Sequence, residues 1–144
     1  MNTRIAALAA LFLAAPALAE APAMTVMPSP GCGCCHAWAD LARAEGYDVS
    51  IRETDVAALK DDLGITPGHR SCHTALVGGY VLEGHVPFDA VARLLAAQPA
   101  IAGLAVPGMP SGSPGMGDDP DARYDVIAFG GTAGAGEVFH EAGR

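Results

Sequence analysis

The chain has 144 residues, with 16 acidic against 8 basic side chains and a formal net charge of −8. That length suits one domain around one core. So acidic a chain excludes nucleic acid and anionic lipid surfaces as partners, because both call for clustered Lys and Arg.

The first segment is a targeting signal by pattern. Arg4 precedes an apolar run from Ile5 to Leu18, which closes on the small-x-small triplet Ala17-Leu18-Ala19. This predicts a secretory signal peptide over residues 1–19. The run is short for a membrane span, which needs ~20 residues; an uncleaved anchor is the alternative. The expected mature product, residues 20–144, is a single exported domain, soluble and with no membrane contact after cleavage. Losing Arg4 makes it one charge more negative.

"AMTVMPS", residues 23–29, predicts a first strand, and "PGCGC" a turn by composition. "CHAWADLARA", residues 35–44, predicts a helix with Trp38, Leu41 and Ala42 on one face and Gly46 at its end. "YDVSIRE", residues 47–53, alternates as a strand. A second helix runs from Thr54, with Thr54 or Asp55 as N-cap and Gly64 as stop. "CHTALVGGYVLEGHVP", residues 72–87, has two apolar runs around Gly78-Gly79, a hairpin signal. A third helix spans 87–98, with Pro87 at its start.

Residues 104–124, rich in Pro, Gly and Ser, predict an irregular loop or a disordered tail. "YDVIAFG" and "GEVFHE" add two short strands. The order strand, helix, strand, helix, strand, strand, helix matches a thioredoxin-like α/β unit. The expected fold is thus a mixed sheet flanked by helices, with a Pro/Gly/Met-rich loop and extra C-terminal strands.

The chemistry lies in the cysteines. Cys32, Cys34 and Cys35 fall within four positions, and Cys72 stands far downstream beside His73. An exported chain sits where disulfides form, but stapling patterns usually spread cysteines to close long loops. Cys32 and Cys35 alone make a Cys-x-x-Cys at a helix start, where backbone N–H groups and the helix dipole favour the thiolate. The thiolate both attacks disulfides and binds metal, so that position leaves redox and metal chemistry open.

Two features tilt the choice toward metal. A dithiol catalyst needs one attacking and one resolving thiol, and Cys34 adds a third that would invite wrong pairings. Three convergent sulfurs suit a soft ion, above all Cu(I). In a thioredoxin-like unit, moreover, the loop before the third strand faces the Cys-x-x-Cys and usually carries Ile-Pro-Thr. Here Cys72-His73-Thr74 stands there, which adds two ligands where a redox enzyme receives substrate. Four thiolates exceed what one tetrahedral zinc needs once histidine joins, and bridging thiolates would hold several Cu(I) ions. An iron–sulfur cluster ranks below copper for a chain exported unfolded.

The expected ligands are Cys32, Cys34, Cys35, Cys72 and His73, with His85 completing or flanking the set. His36, Met109 and Met116 are weaker candidates, the methionines because thioether favours Cu(I). His69 and His140 read as ordinary exposed residues, Met24 and Met27 as packing, and Trp38 as a floor under the site.

"CGCC", "RSCHTALVGGYVLEGHVP" and "GLAVPGMPSGSPGM" resemble a family of small exported bacterial metal-binding proteins, long grouped as a domain of unknown function, that includes the CopG copper-resistance proteins. The resemblance runs from about Met24 to Phe139. It implies a thioredoxin-like fold with insertions, a periplasmic location and a part in copper tolerance. It also implies that Cys32, Cys34, Cys35, Cys72 and His73 hold copper as a multinuclear thiolate-bridged cluster. The implied partners are copper ions and other periplasmic copper-handling proteins. The competing function is a thiol–disulfide oxidoreductase with Cys32 as nucleophile and Cys35 as resolver; a structural zinc module is a third reading.

Overall fold

The computed structural model describes residues 21–143; the signal peptide expected over 1–19 lies outside the described residues. Strand β1 (Ala23–Pro28) buries Met24, Val26 and Met27 on its two faces. Helix α1 (Gly33–Ala44) begins at Cys32, whose Sγ caps it by accepting from the Cys35 N–H at 3.3 Å. Its buried residues are Cys35, Trp38, Ala39 and Ala42, an i, i+3, i+4, i+7 stripe. Leu41, expected on that face, is 42% exposed instead. It lies one helical step before Ala42, about 100° round the helix from that residue, and so falls at the margin of the stripe that Cys35, Trp38, Ala39 and Ala42 define.

Strand β2 (Asp48–Ile51) returns parallel to β1. Helix α2 (Val56–Asp62) is capped by Asp55, whose Oδ1 accepts from the Ala57 and Ala58 amides. Strands β3 (His73–Val77) and β4 (Tyr80–Glu83) form the expected hairpin. Gly78 and Gly79 turn it with φ of 56° and 85°, the left-handed pair that a two-residue I′ turn requires. Helix α3 (Phe88–Ala97) follows Pro87.

The C-terminal part departs from expectation at one place. Leu104 and Ala105 belong to strand β5 (Gly103–Ala105), parallel to β4, rather than to the loop. All three β5 residues are buried, but a run this short beside so much Pro and Gly carries no period to read. The two expected C-terminal strands, β6 (Tyr124–Phe129) and β7 (Glu137–Ala142), are present and extend the sheet antiparallel.

Among the described residues the fold is mixed α/β: three α-helices on a seven-stranded mixed sheet in the order β2-β1-β3-β4-β5-β6-β7. One face carries α1 and α3 over Met24, Val26, Ala75, Val77, Leu82 and Leu104. Trp38 sits among them, stacked on Phe88 at 5.1 Å and donating its indole N–H to the Val86 carbonyl at 3.0 Å. The other face packs Ile65 against Val81, Ala105 and Phe129, and α2 reaches across it to Thr74 and Glu83 through Lys60. Because β1 and β3 are antiparallel neighbours, the loop after β1 and the residues before β3 meet at one end of the strands.

Candidate metal centre

Pairing between Pro28 and His73 at the end of the β1–β3 ladder brings the two cysteine segments together. Just beyond it, Ser29 donates from N (3.0 Å) and Oγ (2.5 Å) to the Cys72 carbonyl. The chain then turns through Pro30-Gly31 into Cys32 at the start of α1. Cys34 Sγ lies 3.4 Å from Cys32 Sγ and 3.9 Å from Cys72 Sγ. Cys35 is fully buried, its sulfur 3.5 Å from the Cys72 carbonyl oxygen. All four sulfurs fall within 4.8 Å of one another. A single tetrahedral ion with ~2.3 Å sulfur bonds separates its sulfurs by about 3.8 Å, and the Cys34–Cys72 distance is close to that value.

Cys32 and Cys35 are joined as a disulfide, with Cys34 and Cys72 free. The structure is therefore the two-electron-oxidised form of the set. Reducing that bond is the step that would make all four sulfurs available as ligands.

A second group shares Cys72. Its sulfur lies 3.1 Å from His85 Nε2 and 3.5 Å from His73 Nδ1, and these three ligand atoms also sit within 4.8 Å of one another. The His85 Nδ1 faces the Pro114 carbonyl oxygen at 2.8 Å. A carbonyl only accepts, so Nδ1 carries the proton and Nε2 presents its lone pair toward Cys72. The His73 ring is buried between Trp38, at 4.8 Å, and the edge-on His85 ring, at 5.0 Å. Among the described residues its Nε2 has no hydrogen-bond partner. Burial, with His85 and Lys60 nearby, holds His73 down to about 3. Burial also lowers His85, so both imidazoles are neutral donors at neutral pH. Burial, then the Cys34 sulfur, pushes the Cys72 thiol up to about 11.

The Pro/Gly/Met-rich segment is an ordered strap over this end of the strands. Gly108 bonds back to Arg70 and to the Ser71 hydroxyl, Pro114 holds His85, and Ser113 is buried. Gly115 runs against the first turn of α1: a Cβ there would lie 2.9 Å from both Cys34 O and Trp38 N.

Two solved structures, titled forms 1 and 2 of the copper resistance protein CopG, match this architecture. Each is 36% identical, covers 85% of this chain and 98% of its own, and superposes with a TM-score of 0.77. The chain belongs to the CopG copper-resistance family. Residues 69–116 also match the family described as "Protein of unknown function, DUF411". That stretch takes in Cys72, His73, His85 and most of the strap. No curated protein matches the chain.

In this CopG-family chain the six expected side chains Cys32, Cys34, Cys35, Cys72, His73 and His85 come together. His85 lies two residues beyond the end of β4. Trp38 forms the floor expected of it. His36 is exposed on α1, beside a cleft that also includes Pro30, Gly31 and Glu53. Met109 is 53% exposed and Met116 half-buried in the strap; Met24 and Met27 are core, as expected. His69 and His140 are not plain surface residues: both are half-buried, His69 against the Phe129 ring and His140 3.3 Å from Asp89.

Sequence reasoning missed Lys60 and Glu83, a buried pair beneath Cys72. The available signal was Glu83 itself, an acid inside the apolar run "YVLEGH".

Proposed function

We propose that this protein is an exported, periplasmic copper-binding protein that serves copper homeostasis and resistance. Residues 1–19 would be its signal peptide and 20–144 a single thioredoxin-like metal-binding domain. The thiolates of Cys32, Cys34, Cys35 and Cys72 hold Cu(I) as primary ligands, bridging several ions, and His73 and His85 complete the site. What carries the reading is the approach of Cys72 Sγ to within 3.9 Å of Cys34 Sγ, across 38 residues of chain. It joins a sulfur-only pocket to a sulfur-and-imidazole pocket. Soft thiolates select a soft ion, and neutral imidazoles suit copper in either oxidation state. The buried, unpartnered His73 Nε2 fits the same reading. Family membership supports it too, since the matching structures are titled copper resistance proteins.

The test is an anaerobic Cu(I) titration of disulfide-reduced protein, with metal analysis of the wild type and Cys72→Ser. More than one Cu(I) per chain is expected, falling in Cys72→Ser. No copper, or zinc held in preference to Cu(I), rejects the reading.

The Cys32–Cys35 disulfide favours one other function, a thiol–disulfide oxidoreductase. That function predicts insulin reduction that Cys32→Ser abolishes and Cys72→Ser leaves largely intact.

A further inference from the structure

Beneath the Cys72 segment lies a charged pair that the metal chemistry leaves unused. Lys60 on α2 and Glu83 at the end of β4 are 5% and 0% exposed. The Lys60 ammonium donates to the Glu83 carboxylate, and to Thr74 Oγ1 at 3.1 Å. Buried ion pairs seldom add net stability, because desolvation offsets the attraction. Stability is therefore a weak reason for this one.

The carboxylate's other contacts supply a better reason. Glu83 Oε1 accepts the Ser71 N–H at 2.6 Å, and Oε2 accepts the Thr74 hydroxyl at 2.6 Å. These two bonds bracket Cys72 and His73. Thr74 is also the cross-strand partner of Glu83, and His85 lies two residues further along the same chain. Ser29 pins the Cys72 carbonyl from the β1 side, but the Ser71 amide turns to Glu83. One carboxylate thus ties both ends of the Cys72-His73 segment to the strand that leads into His85.

We propose that Glu83 is a positioning residue. Its carboxylate, anchored by Lys60, fixes the Ser71–Thr74 segment so that Cys72 Sγ stays within reach of Cys34 Sγ and His85 Nε2 together. Its purpose rests on the metal-binding reading; the positioning itself is testable without metal.

Dibromobimane fluoresces when one molecule bridges two thiols. In metal-free protein with the Cys32–Cys35 disulfide intact, those thiols are Cys34 and Cys72. Two double variants remove both charges together, so neither is stranded: Lys60→Met/Glu83→Gln and Lys60→Met/Glu83→Leu. Gln keeps an acceptor for Ser71 and a partner for Thr74, and should bridge near the wild-type rate. Leu has neither and should bridge about tenfold more slowly, with the far-UV circular dichroism and cooperative unfolding of a folded chain. Equal rates in the two variants overturn the proposal. Hydrogen exchange on the wild-type protein tests it without any variant. The Ser71 amide should be protected, and exchange at the rate of a free loop overturns the idea. Normal bridging with no Cu(I) uptake would leave the positioning standing and remove the metal reading. Copper uptake unchanged in the Leu variant, with bridging equal to wild type, would do the opposite.

Discussion

At Cys72 a thiol faces two imidazoles that are both neutral, and the proton arithmetic of the site follows. With its pKa pushed up to about 11, Cys72 carries its proton at neutral pH. Its S–H points to the His85 Nε2 lone pair, 3.1 Å away. A metal binds the thiolate, so loading must displace that proton. Cu(I) added to reduced protein in weakly buffered anaerobic solution should acidify it, and Cys72→Ser should release about one proton fewer per chain. A raised thiol pKa makes protons stronger competitors, so apparent affinity falls as pH drops below about 11. Equal proton release from wild type and Cys72→Ser would contradict this.

The four sulfurs were legible as a set because three share a tetrapeptide and the fourth adjoins a histidine before a predicted strand. Lys60 was not, since "LKDD" reads as an exposed helix face until the face packed on β3 is known. A helix-to-sheet contact leaves no local mark.

The elements show the same division. The hairpin and its glycine pair, both flanking helices and the last two strands follow from period and punctuation. Strand β5 does not, because three residues are too few to display alternation. Nor does the strap's order follow from composition. Pro and Gly mark turns and loops, whereas here the segment they fill lies against α1 and aims a carbonyl at His85. Gly115 is the tight point, with φ of +86° and α1 backbone where a Cβ would stand. Gly115→Ala should therefore cost about 1–3 kcal/mol in urea unfolding. It should also speed alkylation of Cys34, whose carbonyl the strap covers. A wild-type midpoint with unchanged Cys34 reactivity would mean that the strap rests loosely on the helix.

For the whole molecule the fold class was readable because the element order admits few arrangements, yet its response to acid depends on burial that no pattern displays. His73 titrates near 6.5 when unfolded and at about 3 in the fold. Between those values the unfolded chain binds the extra proton, so stability rises with pH. It is lost as pH falls from about 6.5 toward 3, by up to roughly 5 kcal/mol, a large part of the ~5–15 kcal/mol a domain commands. Cys72 acts at the other end. Its thiol shifts from 9.0 to about 11, so the unfolded chain ionises first and stability declines as pH climbs through that window. Half-buried Tyr47 and Tyr124, also raised, chiefly by desolvation, add to the decline. Urea midpoints of the metal-free, disulfide-bonded protein should therefore trace a plateau between about 6.5 and 9 with a fall on each side. His73→Leu isolates that group's share of the acid limb: it removes one of the two buried imidazoles that must stay neutral and should make the slope between pH 4 and 6.5 shallower. If wild type and His73→Leu lose stability in parallel over that range, the buried imidazole is not what makes the fold acid-labile.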